Sequence, residues 1–161
     1  MSPYLFNLYI NNLSKLLNET NVGCFIGLAK INHLMYADDI MLTSSNAKGL
    51  QSLLFICATF GFKFNIKFNR DKCKVMVFSN FRNVCVPNFI LNNDILFSVT
   101  CYKYLGIFLC SNSLDDIDIS SQVSKVYSHG NSLITMFKFC TVDVKIKLFM
   151  SFCASFYASQ L

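Results

Sequence analysis

Two adjacent aspartates interrupt an apolar stretch of this chain, and few local structures accommodate them there. Asp38 and Asp39 separate the apolar runs 31–36 and 40–43, although the whole chain has only nine acidic side chains. Short apolar runs separated by Ala37, Asp38 and Asp39 indicate two strands joined by a tight turn. The sequence therefore predicts a hairpin that presents both carboxylates at its tip.

The two carboxylates at this tip repel each other, and the repulsion points to a cation. At about 5 Å and an effective dielectric constant of about 20, two unit charges repel by about 3 kcal/mol. Carboxylate oxygens suit Mg²⁺, which keeps several waters and takes further oxygens from a substrate phosphate, as two-metal phosphoryl transfer requires. The alternative is a solvent-exposed turn in which Asp38 and Asp39 only accept hydrogen bonds from backbone amides. The aspartate pair alone leaves both interpretations open.

Composition excludes several classes of protein. Hydrophobic residues make up 53% of the 161 positions and charged residues 14%, which is far from the composition of a disordered chain. The longest apolar stretch, residues 148–158, is interrupted by Ser151 and Ser155 and is shorter than the roughly 20 residues that span a bilayer. The N-terminus lacks the features of a secretory signal. We therefore expect no membrane association and an intracellular protein of the nucleus or cytoplasm.

The eight cysteines show no pattern of a metal site or a disulfide framework. They are scattered without a CxxC pair or a Cys/His cluster. We expect them to be small core residues in a reducing compartment. The two histidines, His33 and His129, show no ligand pattern and are expected to be structural.

The spacing of apolar residues predicts an α+β chain. Ser2 and Pro3 form a good helix start, and leucines recur at helical spacing after them. The predicted helices cover residues 3–18, 47–60, 117–139 and 142–158. Extended segments are predicted at residues 62–68, 73–79 and 101–109, and a turn at Asn92, Asn93 and Asp94. Because only helices are predicted after residue 112, we place a domain boundary there.

One segment, which we call the basic stretch, concentrates positive charge in residues 63–74. It contains five basic side chains and a single acid, Asp71. The basic residues are Lys63, Lys67, Arg70, Lys72 and Lys74. Such a stretch can face phosphate groups. The alternative is a solvated strand edge whose lysines prevent aggregation.

Five segments around these features resemble reverse transcriptases of non-LTR (LINE-type) retrotransposons, and they occur in the family's order. YADD at residues 36–39 is similar to the catalytic box, and SPYLFNLYINNL at residues 2–13 is similar to the helix that precedes it. KFNRDKCKVMVFS at residues 67–79 resembles the next motif, and YKYLGIFL at residues 102–109 resembles the primer-grip hairpin. Residues 126–161 resemble the helical thumb. The resemblance thus covers nearly the whole chain.

The resemblance implies a partial polymerase palm at residues 1–112 and an all-helical thumb at residues 113–161. It implies an RNA-directed DNA polymerase that adds dNTPs to a DNA primer on an RNA template, with Mg²⁺, or alternatively Mn²⁺, as cofactor. Asp38 would be the firmer metal ligand and Asp39 its neighbour. The resemblance assigns the remaining site residues as follows: Tyr36 against the primer end or minor groove, Lys72 near the pyrophosphate leaving group, Lys74 on nucleic acid, and Tyr104, Leu105 and Gly106 on the primer backbone.

Two of these assignments have purely structural alternatives. Lys72 can be one more solvated lysine of the basic stretch. Residues 104–106 can belong to a buried strand with a glycine at a bulge.

The sequence also departs from the family. The carboxylate that the family supplies upstream of the first helix, the glycine-rich turn and the fingers have no counterpart among residues 1–161. We therefore expect a domain fragment that is inactive alone. The alternative is a catalytically inactive remnant that binds nucleic acid. A third possibility is an unfolded pseudogene product. The sequence gives no oligomeric state.

Overall fold

A computed structural model describes residues 3–79 and 86–154 of the chain. The chain divides into two compact units, each described here by itself. The first unit comprises Met1–Val75 and Asn83–Val99, and the second comprises Met76–Arg82 and Thr100–Leu161. The assignment of residues 1–112 to a palm and of residues 113–161 to a thumb stays a prediction.

Four α-helices form in the described residues. They are α1 (Pro3–Asn18), α2 (Ala47–Phe64), α3 (Asp116–Met136) and α4 (Val142–Phe149). The predicted first helix is confirmed at both ends, and Asp116 and Asp118 lie in the first turn of α3, where acids favour the helix dipole. The predicted helix 142–158 changes to a π-helical segment at Met150–Ala154, and residues 155–158 lie outside the described residues.

Ten short strands pair two by two in the described residues, so each sheet has two strands. Four pairs are antiparallel: β1 (Cys24–Ile26) with β2 (Ala29–Ile31), β3 (His33–Tyr36) with β4 (Asp39–Leu42), β6 (Ile90–Leu91) with β7 (Asp94–Ile95), and β9 (Cys101–Tyr104) with β10 (Ile107–Cys110). The parallel pair joins β5 (Lys74–Val75) to β8 (Phe97–Ser98). The predicted turn between β6 and β7 is confirmed, with Asn92 and Asn93 both at positive φ. The α+β class is also confirmed.

The main core of the first unit lies between α1 and α2. Its buried side chains recur at helical spacing on both helices and are Ile10, Leu13, Leu17, Leu53, Cys57 and Phe60. Met35, Ile40 and Leu42 of the β3–β4 hairpin pack against this cluster. The core therefore anchors the hairpin that carries the two aspartates.

A smaller core on the first unit joins α2 to the short strands after it. Its buried members are Leu54, Val75, Phe89, Leu91 and Leu96. The Gln51 side chain adds two hydrogen bonds to the backbone of Ile90, at 2.8 and 2.9 Å. The hydrogen bonds hold β6 against α2.

The end of α2 differs from the sequence prediction. The helix was predicted to end at Gly61, and an extended segment was predicted to follow at residues 62–68. The boundary between them is wrong, because α2 continues to Phe64. Asn65 ends the helix in the left-handed conformation, with φ 54° and ψ 37°, and its N–H donates to the Gly61 carbonyl. Asparagine is the side chain that follows glycine in tolerance of this cap conformation. Lys63 is therefore in the last turn of a helix and not on a strand edge.

The segment after this helix is also less extended than predicted. Of residues 73–79, only Lys74–Val75 forms a strand, and it pairs in parallel with β8. The sequence analysis did not predict the β1–β2 hairpin, whose turn contains Gly27 at φ 60°. No helix in residues 3–79 and 86–154 is long and apolar enough to cross a bilayer.

Gly61 offers a test of the close approach at the end of α2. Replacing a helical glycine by alanine ordinarily stabilises a helix by about 1 kcal/mol. At Gly61, however, an added Cβ would lie 2.8 Å from the Ile66 carbonyl oxygen and 3.0 Å from the Phe68 ring. We expect Gly61→Ala to lower the free energy of unfolding by about 1–3 kcal/mol, measured by chemical denaturation.

Gly130 in α3 provides the matched control. A Cβ there would meet the Phe149 ring at 3.4 Å, an ordinary contact distance. We expect Gly130→Ala to raise the free energy of unfolding by about 0.5–1 kcal/mol. Stabilisation by both substitutions would contradict the close approach at Gly61.

Candidate active site

The tip of the β3–β4 hairpin is a two-residue turn. Tyr36 pairs with Asp39 across the two strands, so Ala37 and Asp38 form the turn and Asp39 begins β4. Ala37 has φ 51°, in the left-handed region that alanine enters at a cost of about 1–2 kcal/mol. The predicted hairpin is confirmed, with a turn one residue shorter than expected. The pairing on either side and the core contacts below hold this backbone.

Both carboxylates at the tip are exposed. The side chains of Asp38 and Asp39 form no hydrogen bond or ion pair with any residue that the structure describes. The backbone caps that the alternative interpretation required are therefore not found in this part of the chain. In the same described ranges, no group of three acidic, histidine or cysteine side chains is close enough to hold a metal ion. The tip is thus a pair of carboxylates open to a ligand.

A polar network fixes the base of this hairpin. Asn32 is buried, and its side-chain N–H₂ group donates to the Leu17 carbonyl at 2.6 Å and to the Thr20 hydroxyl at 3.3 Å. Its Oδ1 is thereby the acceptor for His33 Nδ1 at 2.7 Å, which leaves His33 Nε2 to accept from the Ser14 hydroxyl at 2.8 Å.

This network ties the start of β3 to the end of α1. Burial lowers the pKa of His33, which keeps the ring neutral at pH 7 and able to accept this hydrogen bond. The structural role expected for His33 therefore has a physical basis. Asn32 was not singled out in the sequence, because one asparagine within a predicted strand gives no signal of burial, and the structure places it between β2 and β3.

Lys72 lies in a turn that Asn69 organises. The Asn69 carbonyl accepts the N–H groups of Lys72 and Cys73 at 3.1 and 3.0 Å, and its Oδ1 accepts the Asp71 N–H at 3.0 Å. Lys72 is exposed in this turn. It belongs to the same unit as Tyr36, Asp38 and Asp39.

Lys74 follows that turn and is half-buried on β5. Its Nζ lies 4.9 Å from the centre of the Phe97 ring, and the Arg70 guanidinium carbon lies 5.8 Å from the same centre. Phe97 was not among the predicted site residues, because a phenylalanine in a short apolar run indicates only a strand.

The segment with Tyr104, Leu105 and Gly106 belongs to the second unit and forms a hairpin. Tyr104 pairs with Ile107, and Leu105 and Gly106 form the turn at φ 48° and 92°. Two successive positive φ values are typical of the type I′ turn that joins two antiparallel strands. The prediction of a single strand at residues 101–109 is therefore wrong, as is the alternative of a glycine bulge, whereas the hairpin implied by the resemblance is present.

Two contacts stabilise this second hairpin. The Phe108 N–H donates to the Asp118 carboxylate of α3 at 3.0 Å. The Cys101 and Cys110 sulfurs, which face each other across β9 and β10, are 2.9 Å apart. The hydrogen bond with Cys101, followed by desolvation, raises the pKa of Cys110 to about 11, so this thiol stays protonated at neutral pH.

One protein-family model and two curated proteins match this chain. The family described as "Reverse transcriptase (RNA-dependent DNA polymerase)" matches residues 1–109. The chain is 31% identical over 116 residues to the Retrovirus-related Pol polyprotein from type-1 retrotransposable element R2 of Popillia japonica, over 67% of this chain and 16% of that protein. It is 37% identical over 73 residues to the Retrovirus-related Pol polyprotein from type-2 retrotransposable element R2DM of Drosophila melanogaster, over 45% of this chain and 7% of that protein. No solved structure matches significantly.

Proposed function

The chain belongs to the reverse transcriptase family, and from this premise we propose that it carries the catalytic carboxylates of an RNA-directed DNA polymerase of a non-LTR retrotransposon. The relatives are Pol polyproteins, of whose length the chain spans 16% and 7%. The proposed substrates are dNTPs and a DNA primer paired to an RNA template. The proposed division is a palm at residues 1–112 and a thumb at residues 113–161.

One observation carries this proposal. Asp38 and Asp39 lie exposed at the tip of a hairpin whose base is fixed by the core and by Asn32. A chain that only had to close this turn would favour asparagine and glycine there, since those residues reach positive φ without strain. Alanine at φ 51° followed by two exposed acids is instead the kind of strained, charged turn that marks a functional site.

The donor set fits Mg²⁺. Reverse transcriptases generally depend on a divalent metal, and Mg²⁺ binds through one or two carboxylates while it keeps waters and accepts substrate phosphates. Asp38 would be the firmer ligand and Asp39 its neighbour, with Mn²⁺ as an alternative ion. When bound, such ions activate the attacking primer hydroxyl and stabilise the charge that develops on the phosphate.

The other proposed site residues act through their own chemistry. Tyr36, 66% exposed beside Asp39, offers an aromatic surface to the primer end or minor groove. Lys72 would neutralise the pyrophosphate leaving group, since a cation there stabilises developing charge. Lys74 would contact the phosphate backbone. The turn with Leu105 and Gly106 after Tyr104 would hold the primer backbone.

Primer extension tests the proposed function. Because the chain is expected to be inactive alone, it is assayed after fusion to the upstream reverse transcriptase segment of an R2 relative, with a DNA primer on an RNA template, dNTPs and Mg²⁺, and we expect the primer to lengthen. Loss of residues that only orient metal ligands reduces activity by about 10- to 100-fold, so Asp38→Asn is expected to reduce extension by at least about 100-fold. The matched control is Asp115→Asn, which removes an equally exposed acid at the start of α3.

A second candidate function is nucleic-acid binding without turnover. The observation that favours it is the absence of a third acidic ligand near the tip within residues 3–79 and 86–154, together with the cations around Phe97. Binding of the primer and template without any extension, in Mg²⁺ and in Mn²⁺, would support this remnant and contradict the polymerase.

A further inference from the structure

Phe97 is an exposed aromatic ring surrounded by positive charge. It is 54% exposed at the start of β8, although 17 phenylalanines are available to the chain for core packing. The parallel register pairs Phe97 with Lys74, and that pairing brings the Lys74 ammonium to 4.9 Å from the ring centre. The Arg70 guanidinium is 5.8 Å from the same centre. About half of the surface of Phe97 thus remains open to solvent.

Asp94 holds the arginine in this arrangement. Arg70 Nη1 lies 3.2 Å from Asp94 Oδ1, and both side chains are about half exposed, at 49% and 47%. An exposed ion pair of this kind is weak and screened by salt. Asp94 therefore orients the guanidinium in the free protein without preventing a phosphate oxygen from replacing it.

These features match one class of ligand. Aromatic rings stack on unpaired bases, and cations beside them track the phosphates, which is how proteins bind single strands without reading a sequence. A duplex keeps its bases stacked on each other and offers the ring no base face. The exposed Lys67 and Lys72 of the same segment add positive charge, against the acids Asp71 and Asp94.

We propose that Phe97, Arg70 and Lys74 form a stacking platform for single-stranded nucleic acid. The platform rests on the proposed function for its ligand class, nucleic acid, but it requires neither a metal nor turnover at Asp38 and Asp39. It adds to the site a contact for an unpaired stretch of template or product. Its residues come from two segments that the β5–β8 pairing and the Arg70–Asp94 ion pair bring together.

A tryptophan at the platform provides a direct readout. The chain contains no tryptophan, so Phe97→Trp creates a single indole fluorophore at the ring position. We expect single-stranded RNA or DNA oligonucleotides, without divalent metal, to quench its fluorescence, because a base stacks on the indole. Duplex DNA and inorganic polyphosphate, which offer charge without unpaired bases, should quench it little. Two results would overturn the proposal: polyphosphate quenching the fluorescence as much as the oligonucleotides do, or an oligonucleotide binding without any quenching.

Two further variants separate stacking from charge. Phe97→Leu keeps an apolar side chain but removes the ring, and we expect it to weaken single-strand binding by about 5- to 150-fold. Arg70→Gln/Lys74→Gln should make the negative slope of log affinity against log salt shallower by about 1.4 if both cations contact phosphate. Lys48→Gln, an exposed lysine of α2 outside the platform, is the charge control and should leave the affinity within about twofold.

The outcomes are independent of polymerase activity. All titrations are repeated in the Asp38→Asn/Asp39→Asn background, in which the proposed polymerase cannot work. Stacking that persists there supports the platform even if no primer extension is ever observed. Phe97→Leu binding as tightly as the parent, with circular dichroism showing both folded, would refute the platform while leaving the polymerase proposal untouched.

Discussion

Replacing Leu53 by alanine is expected to lower the free energy of unfolding by about 3–5 kcal/mol. Leu53 is fully buried in α2 at the centre of the main core, among Leu13 and Leu17 of α1 and Phe60 of α2. The substitution removes the transfer free energy of the side chain and leaves a cavity between two helices that can only partly close. Urea denaturation followed by circular dichroism at 222 nm measures the change.

Leu8→Ala is the matched control for this substitution. Leu8 lies on α1, the helix that packs against Leu53, but its side chain is 72% exposed. The same chemical change there should alter the free energy of unfolding by less than about 0.5 kcal/mol. Similar losses at both positions would mean that α1 and α2 do not pack as described. A broad, non-cooperative transition of the parent chain would instead support an unfolded product.

The helices were predictable where the sequence itself marks their ends. Pro3 at the first position and the leucine spacing determine α1, and the structure reproduces the predicted bounds. The end of α2 was not predictable in this way, because Asn65 and not a glycine adopts the left-handed cap. Gly61, the residue that suggested the end, is inside the helix, and glycine is needed there because an added Cβ would lie 2.8 Å from the Ile66 carbonyl oxygen.

The hairpins show the same limit. The turn at Asn92 and Asn93 was predicted, since asparagine tolerates positive φ in a type I′ turn. The residue pattern alone missed the turn at Leu105 and Gly106, which the resemblance implied, because a leucine at φ 48° is rare and the flanking residues form one apolar run.

The candidate site divides along similar lines. The hairpin tip was predicted from two apolar runs separated by a short polar turn. Its proposed role in catalysis comes from the resemblance. The Phe97 platform depends on a parallel pairing between residues distant in the sequence, and such pairing leaves no local pattern. Asn32 was missed for the same reason, since its partners Leu17 and Thr20 lie on the preceding helix and loop.

The final prediction concerns the aspartate tip itself. Asp38→Asn/Asp39→Asn should abolish specific binding of Mg²⁺ and Mn²⁺, measured by isothermal titration calorimetry, with at least about a 100-fold loss of affinity. Asparagine has nearly the same shape and is well tolerated in turns, so the hairpin should keep its backbone. The substitution also removes the repulsion between two adjacent carboxylates, so the variant should be no less stable than the parent.

Asp115→Asn/Asp116→Asn decides whether a loss of binding is specific. These adjacent aspartates are also exposed, and they lie at the start of α3, so the double substitution changes the net charge by the same amount. If the ion were held only by the general field of the protein, both double variants would weaken binding alike. Binding lost at the hairpin tip but kept at the helix would instead assign the ion to Asp38 and Asp39. The core and the Asn32 network hold the backbone of that tip, so we expect the two carboxylates to keep their positions whether or not an ion is bound.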